Sequence, residues 1–218
     1  WRRVQRGNSG IFFVATISQA SFVSLVDVKT QGSATAGLQL QGKITGSSIA
    51  ISGGNHRGGT IGVNVRNDLD ASSSVTIADA TATSGATAII FADLQAPLTM
   101  ANVVATTTTS ANALAFLIVS PSATKIDIIG GSYTGVHRGI KVVGALDAAT
   151  TLTLNGVAAT TSVSLSGVAF AHPGGSGVKF ATGDFAGSVS VDRGCSFAGD
   201  RGISLQAVVT VAATARLS

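Results

Sequence analysis

The sequence predicts an all-β repeat protein, and three observations carry that prediction. Gly, Ala, Ser and Thr dominate, while charged residues make up 11% of the 218 residues, well below the roughly 25% of ordinary globular domains. All ten acidic residues are Asp, so a surface helix would lack the Glu that usually covers its wet face. Short apolar–polar alternations recur along the chain, and period-two alternation is typical of β-strands.

Two strand-like units recur with a period of about 25 residues. The first is an apolar-x-apolar triplet whose second apolar residue falls at Leu25, Ile51, Ile77, Met100, Ile128, Leu165 and Val191. The second usually follows a Gly or Ala and begins at Ile11, Leu38, Ile61, Ile89, Leu114, Ile140, Val178 and Ile203. Both series share one longer step, which contains an extra triplet at residues 152–154. The constant phase between the series indicates one unit repeated about eight times.

The constant period selects the architecture. A propeller blade needs about 40 residues, hairpins need tight two-residue links, and a sandwich does not keep so regular a spacing. A β-solenoid does, because each coil stacks on the previous one at the ~4.8 Å inter-strand distance. About eight coils then form a rod of roughly 40 Å. A left-handed β-helix is the alternative, although its hexapeptide period is not visible.

A resemblance to a known superfamily lies in three segments, residues 126–142, 163–180 and 189–205. Each joins an apolar triplet to a small-residue turn and a second apolar strand. These segments are similar to the repeats of the pectate-lyase-like superfamily. The resemblance covers nearly the whole chain, and it implies a right-handed parallel β-helix without specifying an activity.

Stacking of coils leads to two expectations about the interior. The apolar triplets should point inward and stack, and Tyr133, Phe170 and Phe197, which follow triplets at similar distances, should form an aromatic stack. Gly should occupy the turns, where it allows positive φ.

We expect residues 1–218 to form a single β-helix domain, a segment of a longer solenoid. No cap is evident, and uncapped strand edges promote association. We therefore expect self-association, end to end or lateral, with a trimer as one form, or contact with other chains of an assembly. No apolar stretch approaches the ~18 residues of a membrane span. Outside the Arg cluster at residues 1–6, which we interpret as a solvated end, the basic residues form no run with interleaved aromatics, so nucleic acid is not expected as a partner.

Basic turns supply the candidate site residues. His56-Arg57 and His137-Arg138 precede second-unit strands in turns that look equivalent, and Asp200-Arg201 does so in a later coil. The guanidinium group donates two parallel hydrogen bonds to a carboxylate, so the glycan-binding candidates are His56, Arg57, His137, Arg138 and Arg201. If the protein is an enzyme, the first catalytic candidates are His137, Arg138, Asp200 and Arg201. Under the alternative interpretation, these polar turn residues only bond local backbone.

Other catalytic patterns are missing from the sequence. Glycoside hydrolysis needs two carboxylates about 5 to 9.5 Å apart, and the one close pair, Asp68 and Asp70, falls in an apparent turn. The motifs of polygalacturonases and the Asp cluster that holds Ca²⁺ are not evident. The single cysteine, Cys195, excludes an internal disulfide. No metal or other cofactor is expected. Threonines such as Thr81 and Thr83 do not recur in phase, which weakens an ice-binding interpretation.

These features favour a structural or adhesive protein of the extracellular space or of a cell or virion surface, such as a fibre, an appendage or a surface repeat protein, with polysaccharide as a candidate contact. The first alternative is a tailspike-like polysaccharide lyase or glycoside hydrolase that uses one solenoid face. The further alternative is an ice-binding β-solenoid. Fold analogy alone does not decide among them.

Overall fold

The computed structural model describes residues 10–217, with gaps at 14–15, 19, 32–33, 67–68, 110–112, 120, 145–148, 162–175, 186–187, 192–194, 199–200 and 210–213. Side-chain burial is described as far as Ala158 and again at Lys179, 189–191 and 195–197. The described part contains strands and no helix, and therefore none long enough to cross a membrane.

Short strands follow one another through the described residues. In chain order they are β1 (Ile11–Phe13), β2 (Phe22–Val26), β3 (Lys29–Gln31), β4 (Ala36–Leu40), β5 (Ser48–Ser52), β6 (Asn55–Arg57), β7 (Ile61–Val65), β8 (Ser74–Ala78), β9 (Thr81–Ser84), β10 (Thr87–Ala92), β11 (Leu98–Ala101), β12 (Val104–Thr107), β13 (Leu114–Val119), β14 (Lys125–Ile129), β15 (Ser132–Gly135), β16 (Arg138–Val143), β17 (Thr151–Asn155), β18 (Ala158–Thr161), β19 (Ser176–Phe185), β20 (Ser188–Val191), β21 (Ser196–Ala198), β22 (Arg201–Val209) and β23 (Thr214–Leu217).

Three parallel sheets run along the molecule. Sheet 1 has the order β1-β4-β7-β10-β13-β16-β19-β22, sheet 2 has β2-β5-β8-β11-β14-β17-β20-β23, and sheet 3 has β3-β6-β9-β12-β15-β18-β21. Each coil of the chain adds one strand to sheet 1, then one to sheet 2 and then one to sheet 3. Every strand pairs with the equivalent strands of the neighbouring coils. This arrangement is a parallel β-solenoid, so the predicted all-β solenoid fold is confirmed.

The apolar triplets stack inward as predicted, most clearly in sheet 2. Its two inner columns contain buried side chains in register over six consecutive strands, namely Ile49, Val75, Leu98, Ile126, Leu152 and Val189 in one column and Ile51, Ile77, Met100, Ile128, Leu154 and Val191 in the other. Small or polar residues alternate with them on the outer face. Burial of these columns in an interior of organic-crystal density is the main stabilising term of the fold.

One member of the predicted triplet series is wrong. Leu154 pairs with Ile128 on one side and with Val191 on the other. The extra triplet at residues 152–154 is therefore the one that continues the column. Leu165 lies outside the described residues.

Sheet 1 departs from strict alternation at a single position. Ala88 and Ile89 are consecutive, yet both belong to the main core, and so do Ala115 and Phe116. Two consecutive residues therefore face inward in these strands. The register column that contains the second of them is Ile11, Leu38, Val63, Ile89, Phe116, Ile140, Val178 and Ile203. Ile61 and Leu114, predicted members of that column, lie two residues earlier in their strands. Ile61 packs in a separate outer cluster with Ala36 and Ile90.

The aromatic stack differs from the predicted one. Tyr133 and Phe197 occupy the same column of sheet 3, but Ala159 lies between them, and Phe170 lies outside the described residues. Instead, the ring of Tyr133 packs against that of Phe116 in sheet 1, and the two ring centroids are 5.9 Å apart. Phe116 makes an edge-on contact with Phe91 at 6.1 Å. The aromatic cluster thus joins sheets 1 and 3 across the core.

The corner between sheets 2 and 3 needs positive φ in successive coils. Gly fills the position at Gly53, Gly130 and Gly156, as predicted, but Asp27, Asp79 and Asn102 fill it in other coils with φ between 51° and 53°. Asp and Asn tolerate this left-handed conformation better than other side chains. Asn102 also donates a hydrogen bond from Nδ2 to Asp79 Oδ1 at 3.2 Å. The corner is therefore a ladder of left-handed residues.

Candidate functional site

The structure separates the predicted site residues onto different parts of the solenoid. His56 and Arg57 belong to β6 of sheet 3, whereas Arg138 begins β16 of sheet 1 and Arg201 begins β22 of the same sheet. The two His-Arg pairs are therefore not equivalent in the coil, contrary to the sequence interpretation. His56 shares its column with Tyr133, not with His137.

His56 faces the interior. Its side chain is fully buried, and its Nδ1 lies 3.0 Å from Thr30 Oγ1 of the preceding coil. Nε2 is buried without a hydrogen-bond partner in the described structure. Burial lowers the pKa of His56, so the neutral ring is favoured. In this position His56 cannot contact a ligand on the outer surface.

Arg57 lies on the outer face of sheet 3 and borders a shallow groove of about 380 Å³. The groove is also lined by Gly58 and Gly59, and by Thr83 and Thr109 of the following coils. At Gly58 a Cβ would overlap the backbone of Ile61, so the chain passes too close there for any other residue. Arg57 is one exposed cation among neutral polar groups, so this groove offers a single charged contact.

His137 lies in the turn that leads into β16. Its backbone N–H donates to the carbonyl oxygen of Ala113 at 3.0 Å, and its side chain is partly buried. The turn is tight, because a Cβ added at Gly135 would overlap the carbonyl oxygen of Arg138. This close approach fixes the position of Arg138 at the start of its strand.

Arg138 is one of four cationic residues that the register brings together on sheet 1. In one column of register positions, which begins at the outer position of Arg138, Arg138 pairs with Ser176, which pairs with Arg201. In the next outer column, Lys141 pairs directly with Lys179. Since Gly139 and Ile140 between Arg138 and Lys141 are both buried, these two cations occupy successive outer positions. We call Arg138, Lys141, Lys179 and Arg201 the basic strip.

The electrostatics of the strip are determined mainly by partial burial, and the charge of Arg138 adds to its effect on Lys141. Arg138 and Lys141 are partly buried, and Nε of Arg138 is buried without a hydrogen-bond partner in the described structure. Burial lowers the pKa of Lys141, and the charge of Arg138 lowers it further. Burial alone lowers the pKa of Arg138. On sheet 2, Lys125 forms an ion pair with Asp127 at 2.8 Å.

Sequence reasoning identified Arg138 and Arg201 but missed Lys141 and Lys179. The sequence does contain a sign of this pair, because a lysine directly follows the first apolar residue of the second unit at both Ile140 and Val178. That sign indicates neighbouring lysines only when the register of the two strands is known.

The described acidic and metal-binding groups do not form a metal site. Among the described residues, no three His, Cys or Asp side chains are close enough to hold a metal ion. Asp200 and Asp68 lie outside the described residues. Asp70 is occupied by local turn bonds, since it accepts hydrogen bonds from Ser73 Oγ at 2.7 Å and Ser72 Oγ at 2.9 Å. Those hydroxyls lower the pKa of Asp70.

Cys195 is a free thiol that packs against the core. Its Sγ accepts a hydrogen bond from the backbone N–H of Val157 at 3.4 Å. These contacts are those of a side chain that packs against the core.

A threonine row on sheet 3 corrects one sequence interpretation. Thr83, Thr106 and Thr134 are register partners on the outer side of the sheet, and the register continues to Thr160 in the fourth strand. One column of single threonines is therefore in phase, which the sequence spacing did not show, whereas Thr81 pairs with Val104 and the Thr-x-Thr doublet is not repeated, as predicted. Corner lengths vary between coils, and the sequence spacing concealed the alignment.

Comparisons with known proteins add no relative: no family profile matches the chain, and neither a curated protein nor a solved structure is significantly similar.

Proposed function

We propose that this chain is a structural or adhesive protein of an extracellular or surface assembly, and that it contacts polysaccharide without cleaving it. One observation carries the proposal: the strand register of sheet 1 places four cationic residues at two neighbouring columns of positions, whereas no three described His, Cys or Asp side chains gather as a metal site. A scaffold with an aligned charged face suits adhesion better than catalysis, which needs a positioned acid or base.

The finer assignment of the fold is part of the same proposal. Parallel strands joined by crossover connections are right-handed in about 98% of cases, which supports a right-handed β-helix. The repeats resemble those of the pectate-lyase-like superfamily. Self-association, end to end or lateral, also belongs to the proposal, and light scattering tests it. A monodisperse monomer at all concentrations would count against an assembly.

The function is tested by combining a binding assay with a cleavage assay. The protein is incubated with acidic polysaccharides, and both cosedimentation and newly formed chain ends are measured. We expect cosedimentation without new ends. Release of shortened chains would overturn the non-catalytic assignment. Antibody labelling of intact source cells or particles checks the location, and labelling only after permeabilisation would contradict a surface role.

Ice binding is a second candidate, and the threonine row is the observation that favours it. Threonine is restricted at χ1 by its branched Cβ, so the row presents hydroxyl and methyl groups at intervals of about 4.8 Å. Thermal hysteresis of the protein solution is the measurement. Ice-growth inhibition that disappears in Thr106→Lys but persists in Thr99→Lys, on sheet 2, would support this candidate. Absence of hysteresis in the wild type removes it.

A further inference from the structure

The groove beside Arg57 follows several coils at the corner where sheet 3 leads into sheet 1. Arg57 lies in an outer column of sheet 3, between its register partners Gln31 and Thr83, and these three strands span about 10 Å along the solenoid axis. The groove continues to Thr109, two coils beyond Arg57. Its volume of about 380 Å³ falls within the range of sites that bind small ligands.

The charge of the groove is concentrated at one point. Among the described residues that line it, Arg57 carries the only charge and no carboxylate is present. The side chain of Arg57 is exposed and forms no hydrogen bond or ion pair with the described part of the chain. A guanidinium group donates two parallel hydrogen bonds to a carboxylate. The groove therefore provides an anchor for one carboxylate and no cation for a second.

The threonine hydroxyls of the groove provide hydrogen-bond acceptors. Thr109 Oγ1 donates to the carbonyl oxygen of Gly85 at 3.3 Å, and Thr108 Oγ1 donates to that of Ser84 at 3.5 Å. A hydroxyl group has one hydrogen and two lone pairs, so these oxygens can still accept hydrogen bonds from a ligand. A ligand with hydroxyl groups of its own supplies such donors. Sulfate groups do not, so a densely sulfated polymer would bring acceptors to acceptors.

A sugar that carries one carboxylate and several hydroxyl groups matches both features. We propose that the groove binds a single acidic sugar of an otherwise neutral glycan, of the sialic acid type, with its carboxylate on Arg57 and its hydroxyl groups donating to Thr108 and Thr109. A chain with a carboxylate on every sugar fits less well, because its further carboxylates would lose water without gaining a cation. The inference rests on the glycan contact of the proposed function and adds a place of contact that is separate from the basic strip.

The charge requirement is tested by ligand-observed NMR titration of the full chain. The ligands are sialyllactose, which has one carboxylate, lactose, which has none, and trigalacturonate, which has one on every sugar. We expect sialyllactose to bind most tightly and lactose not to bind. Arg57→Gln should weaken sialyllactose binding at least about tenfold, and Arg57→Lys should also weaken it, because an ammonium group cannot form the two parallel bonds. Arg66→Gln is the matched control, because it removes the same charge from an exposed position outside the groove.

The shape of the groove is tested by a change that leaves the charge intact. Thr83→Phe puts a large side chain at a position that lines the groove. Thr106→Phe puts the same side chain in the same outer column one strand further on, where the residue does not line the groove. Sialyllactose binding should be lost in Thr83→Phe and kept in Thr106→Phe. Thermal melting of both variants checks that they fold.

Several results would overturn the site. They are undiminished binding by Arg57→Gln, equal binding of lactose, tighter binding of trigalacturonate, and no binding of sialyllactose by the wild type at low salt. Cosedimentation with acidic polysaccharides separates such a failure from a failure of the proposed function. If the polymers are retained while sialyllactose is not bound, the function stands and the groove site is wrong. If sialyllactose binds through Arg57 while the polymers are cleaved, the site stands and the non-catalytic function is wrong.

Discussion

At the residue scale, His56 makes stability depend on pH. Burial holds its pKa below the ordinary value of 6.5. The unfolded chain therefore binds a proton near that pH while the folded chain stays neutral, so the unfolding free energy falls as pH drops below 6.5 and is unaffected above it. His56→Gln keeps a polar partner for Thr30 without titrating. We expect its thermal midpoint to change less than that of the wild type between about pH 7.5 and pH 5.

The comparison isolates His56, because both proteins retain the other two histidines. An identical pH dependence in His56→Gln would contradict the buried, neutral state.

Tyr133 offers a second test at this scale, because its ring is well packed and its hydroxyl group is not satisfied. The side chain is fully buried, burial raises the pKa of its phenol, and its oxygen finds no hydrogen-bond partner in the described structure. Tyr133→Phe keeps the contact with Phe116 and removes the unpaired group, so we expect a gain of about 1 kcal/mol. Tyr133→Ala should cost about 3 to 5 kcal/mol through the cavity that it leaves. Urea denaturation measures both, and a destabilised Tyr133→Phe would reveal a partner for the hydroxyl.

At the scale of a single element, β17 tests the register that the sequence misassigned. Leu154 is fully buried between Ile128 and Val191, while Thr153 points to the outer face. Leu154→Ala should cost about 2 to 5 kcal/mol, and Thr153→Ala about 0.5 kcal/mol or less. Equal effects of the two substitutions would mean that the alternation of β17 is not as described.

The same strand shows what could be predicted from sequence. Periodicity identified the solenoid, the inward triplets and most of their members, because alternation is a local property. Periodicity wrongly selected Leu165 instead of Leu154, because the register of that strand depends on the lengths of the corners. It selected Ile61 instead of Val63, because two consecutive residues face inward in the strands of sheet 1. For the same reason the pairing of Lys141 with Lys179 and the threonine row could not be found. Both are contacts between strands, and their alignment follows from the corners.

At the scale of the whole molecule, equivalent coils should be removable one at a time. Deletion of residues 75–97 removes nearly all of β8, together with β9 and β10, and places β11 on β5. Met100 then takes the position of Ile77 beside Ile51, and Phe116 in β13 follows Val63 in β7. Because stability of a repeat protein is roughly a sum over neighbouring units, we expect this variant to fold as a β-protein with a smaller urea m-value.

A deletion longer by one residue is the matched control for this prediction. Removal of residues 75–98 puts Thr99 where Val75 stood, and a one-residue slip turns every side chain of a strand to the opposite face. Met100 would then face solvent and Thr99 the core, so cooperative unfolding should be lost or its midpoint sharply lowered. Similar melting of the two deletions would show that the coils are not held by stacking of their inner columns. If the deletion of residues 75–97 folds and the deletion of residues 75–98 does not, the register of the coils determines whether the chain folds.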